Sequence, residues 1–124
     1  MRTAAPTLTP QELQIMKLVW ARQEATVREV YEDLLQRRRI AYTTVMTMMN
    51  VLERKGHLRK RAEGRSFVYR SVRPRRQVVR AMVKDFLDRV FGGSAEPLLV
   101  HLLEDKQLSE RDLEAVARRI RKGR

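Results

Sequence analysis

Short hydrogen-bonding side chains recur on one side of the stretch 42–55. In a helix, Val45, Met48, Met49 and Leu52 would share one face, while Thr43, Met46, Thr47, Asn50 and Arg54 would turn away from it. Threonine hydroxyls and asparagine amides reach phosphate oxygens or base edges over short distances, and the threonine methyl packs on thymine methyls. Thr43, Thr44, Thr47 and Asn50, flanked by Met46 and Arg54, are therefore the candidates for reading or positioning a duplex. Arg59, Lys60, Arg61 and Arg65 follow on a short segment turned by Gly64. Such a face alone is equally what an ordinary solvated helix presents. The cations beside it exceed what a turn needs for solubility, and phosphate contact accounts for them.

The whole chain carries the same bias. Its 124 residues hold 27 Lys and Arg against 15 Asp and Glu, a formal net charge of +12. Part of the surplus gathers at the turn and at Arg73, Arg75 and Arg76, which implies a polyanionic partner; nucleic acid fits better than an acidic membrane surface. Cysteine is absent, which excludes disulfides, thiolate metal sites and thiol redox sensing. His57 and His101 are far apart in sequence, Glu104 and Asp105 open a polar connector, and no glycine-rich phosphate loop occurs, so neither catalysis, a metal nor a cofactor is expected. No apolar run has the length of a membrane span, so no membrane insertion is expected. The opening MRTAAPTLTP lacks the continuous apolar stretch of a secretory signal, and a cytoplasmic protein is the expectation.

The elements that would position these residues are marked by their caps. Thr9, Pro10 and Glu12 form a capping-box signature for a first helix with Leu13, Met16, Leu18, Val19 and Trp20 as its apolar stripe, Trp20 in the core, and Gln23 with Glu24 as the connector that follows. Thr26 and Glu29 repeat the box before Val27, Val30, Tyr31, Leu34 and Leu35. Arg37, Arg38 and Arg39 then suit either the negative end of the helix dipole or a phosphate. The third helix, 42–55, ends at Gly56 as a left-handed cap. Strands are expected at 57–61 and 66–70 around a turn at 62–65, anchored by Leu58 and Val68. Pro74 starts a long helix, 75–91, ended by Gly92, Gly93 and Ser94. A short apolar helix, 97–103, and a last one opened by Ser109 and Asp112 complete the chain.

The order α, α, α, β, β predicts a mainly α fold with a small β-hairpin: a winged helix-turn-helix over 1–73, followed by a C-terminal helical dimerisation region over 74–124. Val79, Met82, Val83, Phe86, Leu87 and Val90, with Leu99, Leu102, Leu113, Val116 and Ile120, make more apolar surface than a small winged domain covers. They are expected to meet their copies in a two-fold homodimer, the alternative being an intramolecular helical bundle.

The chain resembles the penicillinase repressor family, the BlaI/MecI type of bacterial regulator. The residues that carry the resemblance are Leu8, Thr9, Glu12, Val19 and Trp20; Val27, Arg28, Glu29 and Val30; the run from Ala41 through Tyr42, Thr43, Thr44, Val45 and Met46 to Thr47; and Arg54, Lys55 and Gly56. The resemblance implies a homodimeric repressor that binds an inverted-repeat operator, controlling β-lactam resistance or related stress genes. In that family a membrane sensor of β-lactams leads to proteolysis at an Asn-Phe bond in the dimerisation region. Alignment on Leu108 and Ser109 places the corresponding position at His101 and Leu102, where this chain has neither Asn nor Phe. Some relatives sense copper through C-terminal cysteines, and here there are none.

The expectation is a non-enzymatic, cytoplasmic repressor whose partners are a palindromic DNA operator, a second copy and, by resemblance, a protease linked to a membrane sensor. The competing readings are a winged-helix module that docks an acidic protein and an architectural protein that binds DNA without sequence preference.

Overall fold

Residues 8–123 are described by the computed structural model. Three of its helices open on the same reciprocal cap. Thr9 Oγ1 accepts from the Glu12 N–H at 3.1 Å, and the Glu12 carboxylate accepts from the Thr9 N–H at 2.9 Å, opening α1, Pro10–Arg22. Thr26 and Glu29 do the same for α2, Val27–Leu35, and Ser109 and Asp112 for α6, Glu110–Lys122. Each box satisfies N–H groups that the first helical turn leaves without partners. Between them lie α3, Tyr42–Arg54; α4, Arg75–Phe91; and α5, Glu96–Glu104. Gly56 sits at φ +86°, its N–H donating to the Glu53 carbonyl at 3.0 Å and the His57 N–H to Leu52 at 2.9 Å. These paired bonds form a Schellman motif, which ends α3 where the chain must turn into a strand.

The sheet has three antiparallel strands rather than two. β1, Glu24–Ala25, pairs with β3, Ser66–Ser71, which pairs on its other side with β2, Leu58–Glu63. Glu24 faces Arg70 and Ala25 faces Tyr69, while β2 runs in register with β3 from Leu58 opposite Ser71 to Glu63 opposite Ser66. The expected hairpin is therefore present, but pairing continues through Ala62 and Glu63, so that its turn is Gly64 and Arg65 rather than 62–65, and His57 stays outside the strand. A strand is added at its outer edge, and Glu24, read as connector, belongs to that strand. Two residues carry no hydrophobic period, so only the pairing of β3's backbone groups reveals them. Gly64 at φ +62° occupies the first place of the two-residue hairpin loop, the position that needs glycine in a type II′ turn.

Contacts divide the chain into two compact units, residues 1–79 and 80–124. In the first, Ile15, Met16 and Val19 of α1 pack with Val30 and Leu34 of α2, Val45, Met49 and Leu52 of α3, and Leu58, Val68 and Tyr69 of the sheet, all buried. The inward face of α1 is rotated from the expected stripe: Ile15 is fully buried, whereas Leu13 and Leu18 are half-buried. Trp20 is half-buried too, and its indole N–H donates to Ser71 Oγ at 2.9 Å, so its polar edge is tied to the sheet.

Glu12 explains part of that rotation. It lies on the buried face of α1, and both carboxylate oxygens accept from Lys55 Nζ at 2.9 Å, joining the first turn of α1 to the end of α3. Burial would push its pKa up, but the Thr9 N–H and the Lys55 ammonium outweigh that and hold it below the ordinary value. A carboxylate with a depressed folded pKa contributes stability above its unfolded pKa and loses it as pH falls through the folded value. Glu12→Ala removes the cap partner and the Lys55 partner together. It should cost about 2–3 kcal/mol at neutral pH in denaturant melts and should flatten the acid side of the stability profile; an unchanged acid limb would deny Glu12 this role.

In the second unit, the Phe86 and Phe91 rings meet edge-on at 5.8 Å, and Phe91 lies 5.8 Å from the His101 ring. Among the described residues 80–123 none is buried, and Val83, Phe86, Val90 and Ile120 are 48, 40, 55 and 56% exposed. No helix of the described residues is long and apolar enough to cross a membrane, and no group of described residues could hold a metal ion.

Candidate nucleic-acid interface

The inner face of α3 fixes its outer one. Val45, Met49 and Leu52 are fully buried, which leaves Thr43, Thr44, Met46, Thr47 and Arg54 exposed along the opposite side. The helix is held at both ends: Lys55 grips Glu12, and the Tyr42 ring meets Tyr31 of α2 edge-on at 5.4 Å with the Arg28 guanidinium 5.2 Å from its centroid. A second brace, Arg22 on Asp33 at 2.8 and 3.0 Å, ties α1 to α2.

Asn50 differs from its neighbours. It is half-buried, and its Oδ1 accepts from the Tyr69 hydroxyl at 3.0 Å. Tyr69 is 2% exposed, and burial pushes its hydroxyl pKa up, against a smaller opposing effect of Lys60, so it stays a donor. Asn50 thus joins α3 to β3, and its amide NH2 is the group it offers outward as a donor. Sequence periodicity placed Asn50 on the outward face but carried no sign of Tyr69, which lies nineteen residues away across the fold.

The four cations of the hairpin separate into two kinds. Lys60 Nζ lies 3.4 Å from Glu53 of α3 and 4.6 Å from the centre of the Phe67 ring, so it fastens the hairpin to the helix. Arg61 holds Glu24 of β1 at 2.7 and 3.1 Å and Glu63 at 2.9 Å. Glu24, and after it Glu63, raise the Arg61 pKa, while Arg61 lowers that of Glu24. Arg59 and Arg65 are exposed, and among the described residues neither has a carboxylate within ion-pair distance. Arg65, beside Gly64, stands at the tip of the hairpin. Phe67, 48% exposed next to that tip, is a further contact candidate that its place in an alternating strand did not distinguish. Arg37 and Arg39 are exposed after α2.

A basic hairpin beside an exposed, hydroxyl-lined helix is a geometry that can grip phosphates and reach base edges at once. The penicillinase repressor family model matches residues 8–122 of the chain. The chain is 29% identical over 108 residues to the penicillinase repressor of Bacillus licheniformis, covering 87% of this chain and 84% of that one. It is 36% identical over 103 residues to the transcriptional regulator BlaI of Mycobacterium tuberculosis, covering 82% and 75%. Among solved structures it is similar to the DNA-binding domain of the repressor BlaI in solution, with a TM-score of 0.54 and 30% identity over 60% of this chain and 90% of that one. With a match that runs almost from one end of the chain to the other, the protein belongs to the penicillinase repressor family.

Proposed function

We propose that the protein is a DNA-binding transcriptional repressor. Two copies, joined through α4, α5 and α6, set their α3 helices into successive major grooves of an inverted-repeat operator in the cytoplasm and block transcription. The observation that carries this reading is the outer face of α3, where Thr43, Thr44 and Thr47 stand exposed on a helix whose inner face is fully buried. Thr43, Thr44, Met46, Thr47 and Arg54 act as the reading face, with Asn50 as a donor braced by Tyr69. Arg59 and Arg65 hold phosphate directly, while Lys60 and Arg61 do so while also fixing the hairpin's position.

The homodimer is supported by the absence of any buried residue among the described residues 80–123. Its proposed contacts run through Val79, Met82, Val83, Phe86, Leu87 and Val90 of α4, Leu99 and Leu102 of α5, and Leu113, Val116 and Ile120 of α6. Family membership points to β-lactam resistance or related stress genes as the regulated class, and to a protease linked to a membrane sensor as the means of release. In this chain the position corresponding to the family's cleavage bond is His101 and Leu102, which lack both the Asn and the Phe of that bond and lie inside the helix Glu96–Glu104, so the sequence itself speaks against this route of release. That helix would have to open before a protease could take the bond in extended form.

Two substitutions separate the roles. Arg65→Ala should weaken binding to an operator duplex and to a scrambled duplex by the same factor, because phosphates carry no sequence. Thr47→Ala should weaken the operator duplex alone, by roughly 1–3 kcal/mol if it reads a base edge. A loss confined to the operator for Arg65→Ala, or an equal loss on both duplexes for Thr47→Ala, would reverse the assignments.

A further inference from the structure

The charge cluster at Arg73 and Arg75 has no part in the face just described. With Lys17, Trp20, Gln23 and Arg70 these two arginines line an open groove of about 650 Å³ at the base of the hairpin, within the size range of small-molecule sites. Four of its lining side chains are cationic and none is acidic. Glu24, across the sheet from Arg70, is hydrogen-bonded by Arg61, and Arg70 acts on it only through a smaller electrostatic attraction. Arg65 at the hairpin tip is five residues from Arg70 along β3, roughly 16 Å for an extended strand. The groove therefore lies away from the hairpin tip, and of the proposed phosphate contacts it adjoins Arg59, which stands opposite Arg70 across the strands.

Trp20 gives the groove a second chemistry. Its N–H is taken by Ser71 Oγ, so what the indole offers a ligand is its ring rather than a donor. Ser71 in turn donates to the carbonyl of Arg73, and the Arg73 guanidinium donates to the carbonyl of Gly56 at 3.2 Å, the residue that closes α3. Arg75 is the first residue of α4.

We propose that this groove is a binding site for a small organic anion built on a flat ring, the ring lying against Trp20 and the oxyanion held by Lys17, Arg70 and Arg75. An anion there alters the Trp20, Ser71, Arg73 and Gly56 chain, and so the C-terminal end of α3 and the first turn of α4. The consequence for operator affinity rests on the repressor reading; the binding itself does not.

Trp20 is the one tryptophan of the chain, so its indole N–H gives a single resonance in a 1H–15N spectrum. The full-length protein without DNA is titrated with phenyl phosphate, with inorganic phosphate and benzyl alcohol as controls for charge and ring alone. The expected result is a saturable shift of the indole resonance with phenyl phosphate, at least about tenfold tighter than with either control. Arg70→Gln and Arg75→Gln, each with an unchanged melting temperature, should weaken it by about the same factor. Equal affinity for inorganic phosphate and phenyl phosphate, no saturable shift, or unchanged binding in both variants would overturn the proposal. So would an operator duplex that saturates the same shift and excludes phenyl phosphate, since the groove would then be part of the DNA contact. A saturable shift that leaves operator binding unaltered would retain the site and remove its link to α3.

Discussion

Phe86→Asp is expected to turn the proposed dimer into folded monomers and to cost at least about a hundredfold in operator affinity. Phe86 is 40% exposed within the chain, and Val83 and Val90, one turn to either side, are 48 and 55% exposed. A stripe of this kind at i, i+3 and i+7 wastes apolar surface unless another surface covers it. A carboxylate in the middle of such a cover would lose the water that solvates it, and burying it would cost more than the interface gains from one phenyl ring. The penalty on DNA follows from geometry rather than from any lost contact. A dimer binds its second half-site at the high effective concentration set by the first, an advantage of 10²- to 10⁴-fold in general that a monomer forgoes. The core of residues 1–79 does not include Phe86, so its melting should be unaltered. Sedimentation that still shows a dimer would move the interface to other residues.

Salt should act more strongly still. Binding that neutralises Z phosphates releases their counterions, and the logarithm of affinity falls by about 0.9 Z per decade of salt. With roughly four phosphate contacts per protomer and two protomers, raising salt from about 50 to about 200 mM should reduce affinity by on the order of 10⁴-fold. The ion pairs of the hairpin sharpen this expectation. Arg61 already holds two carboxylates and Lys60 one, so their substitution should change the slope less than substitution of Arg65 or Arg59. Arg65→Ala should lower the slope by nearly one contact per protomer in a salt series. Arg61→Ala should lower it less while lowering stability, because Glu24 and Glu63 lose their shared cation. Equal slopes for the two variants would mean that the Arg61 pairs open on binding.

How far the sequence reached depends on the kind of signal each feature leaves. Thr9 with Glu12, Thr26 with Glu29 and Ser109 with Asp112 are local hydrogen-bonded units, so helix starts were readable from three residues apart. Pro74 and the Gly92–Gly93 pair bounded α4 in the same way, since one blocks helix continuation backwards and the other lets the chain leave it. Family membership was readable because residues 41–47 and 54–56 fall in a distinctive order around α3. What escaped was nonlocal. Strand Glu24–Ala25 exists only through its pairing with Arg70 and Tyr69. The inward turn of Ile15 follows from where Glu12 meets Lys55, forty-three residues on. On the candidate interface, spacing put Thr43, Thr44, Met46, Thr47 and Arg54 on one exposed face, and they are exposed together. It could not tell Arg65, exposed at the tip, from Arg61, held by two carboxylates, nor see that Tyr69 holds Asn50. Composition counts cations, and only the fold shows which of them already have partners.

The most direct test of the central claim is fluorescence-anisotropy binding of the full-length protein to its own upstream promoter duplex and to a scrambled duplex of equal length and composition, at a fixed salt concentration. A sequence-specific dimeric repressor should prefer the promoter by about 10³-fold or more, with two protomers per site at saturation. Equal binding to both duplexes, or a stoichiometry of one protomer with no preference, would contradict it.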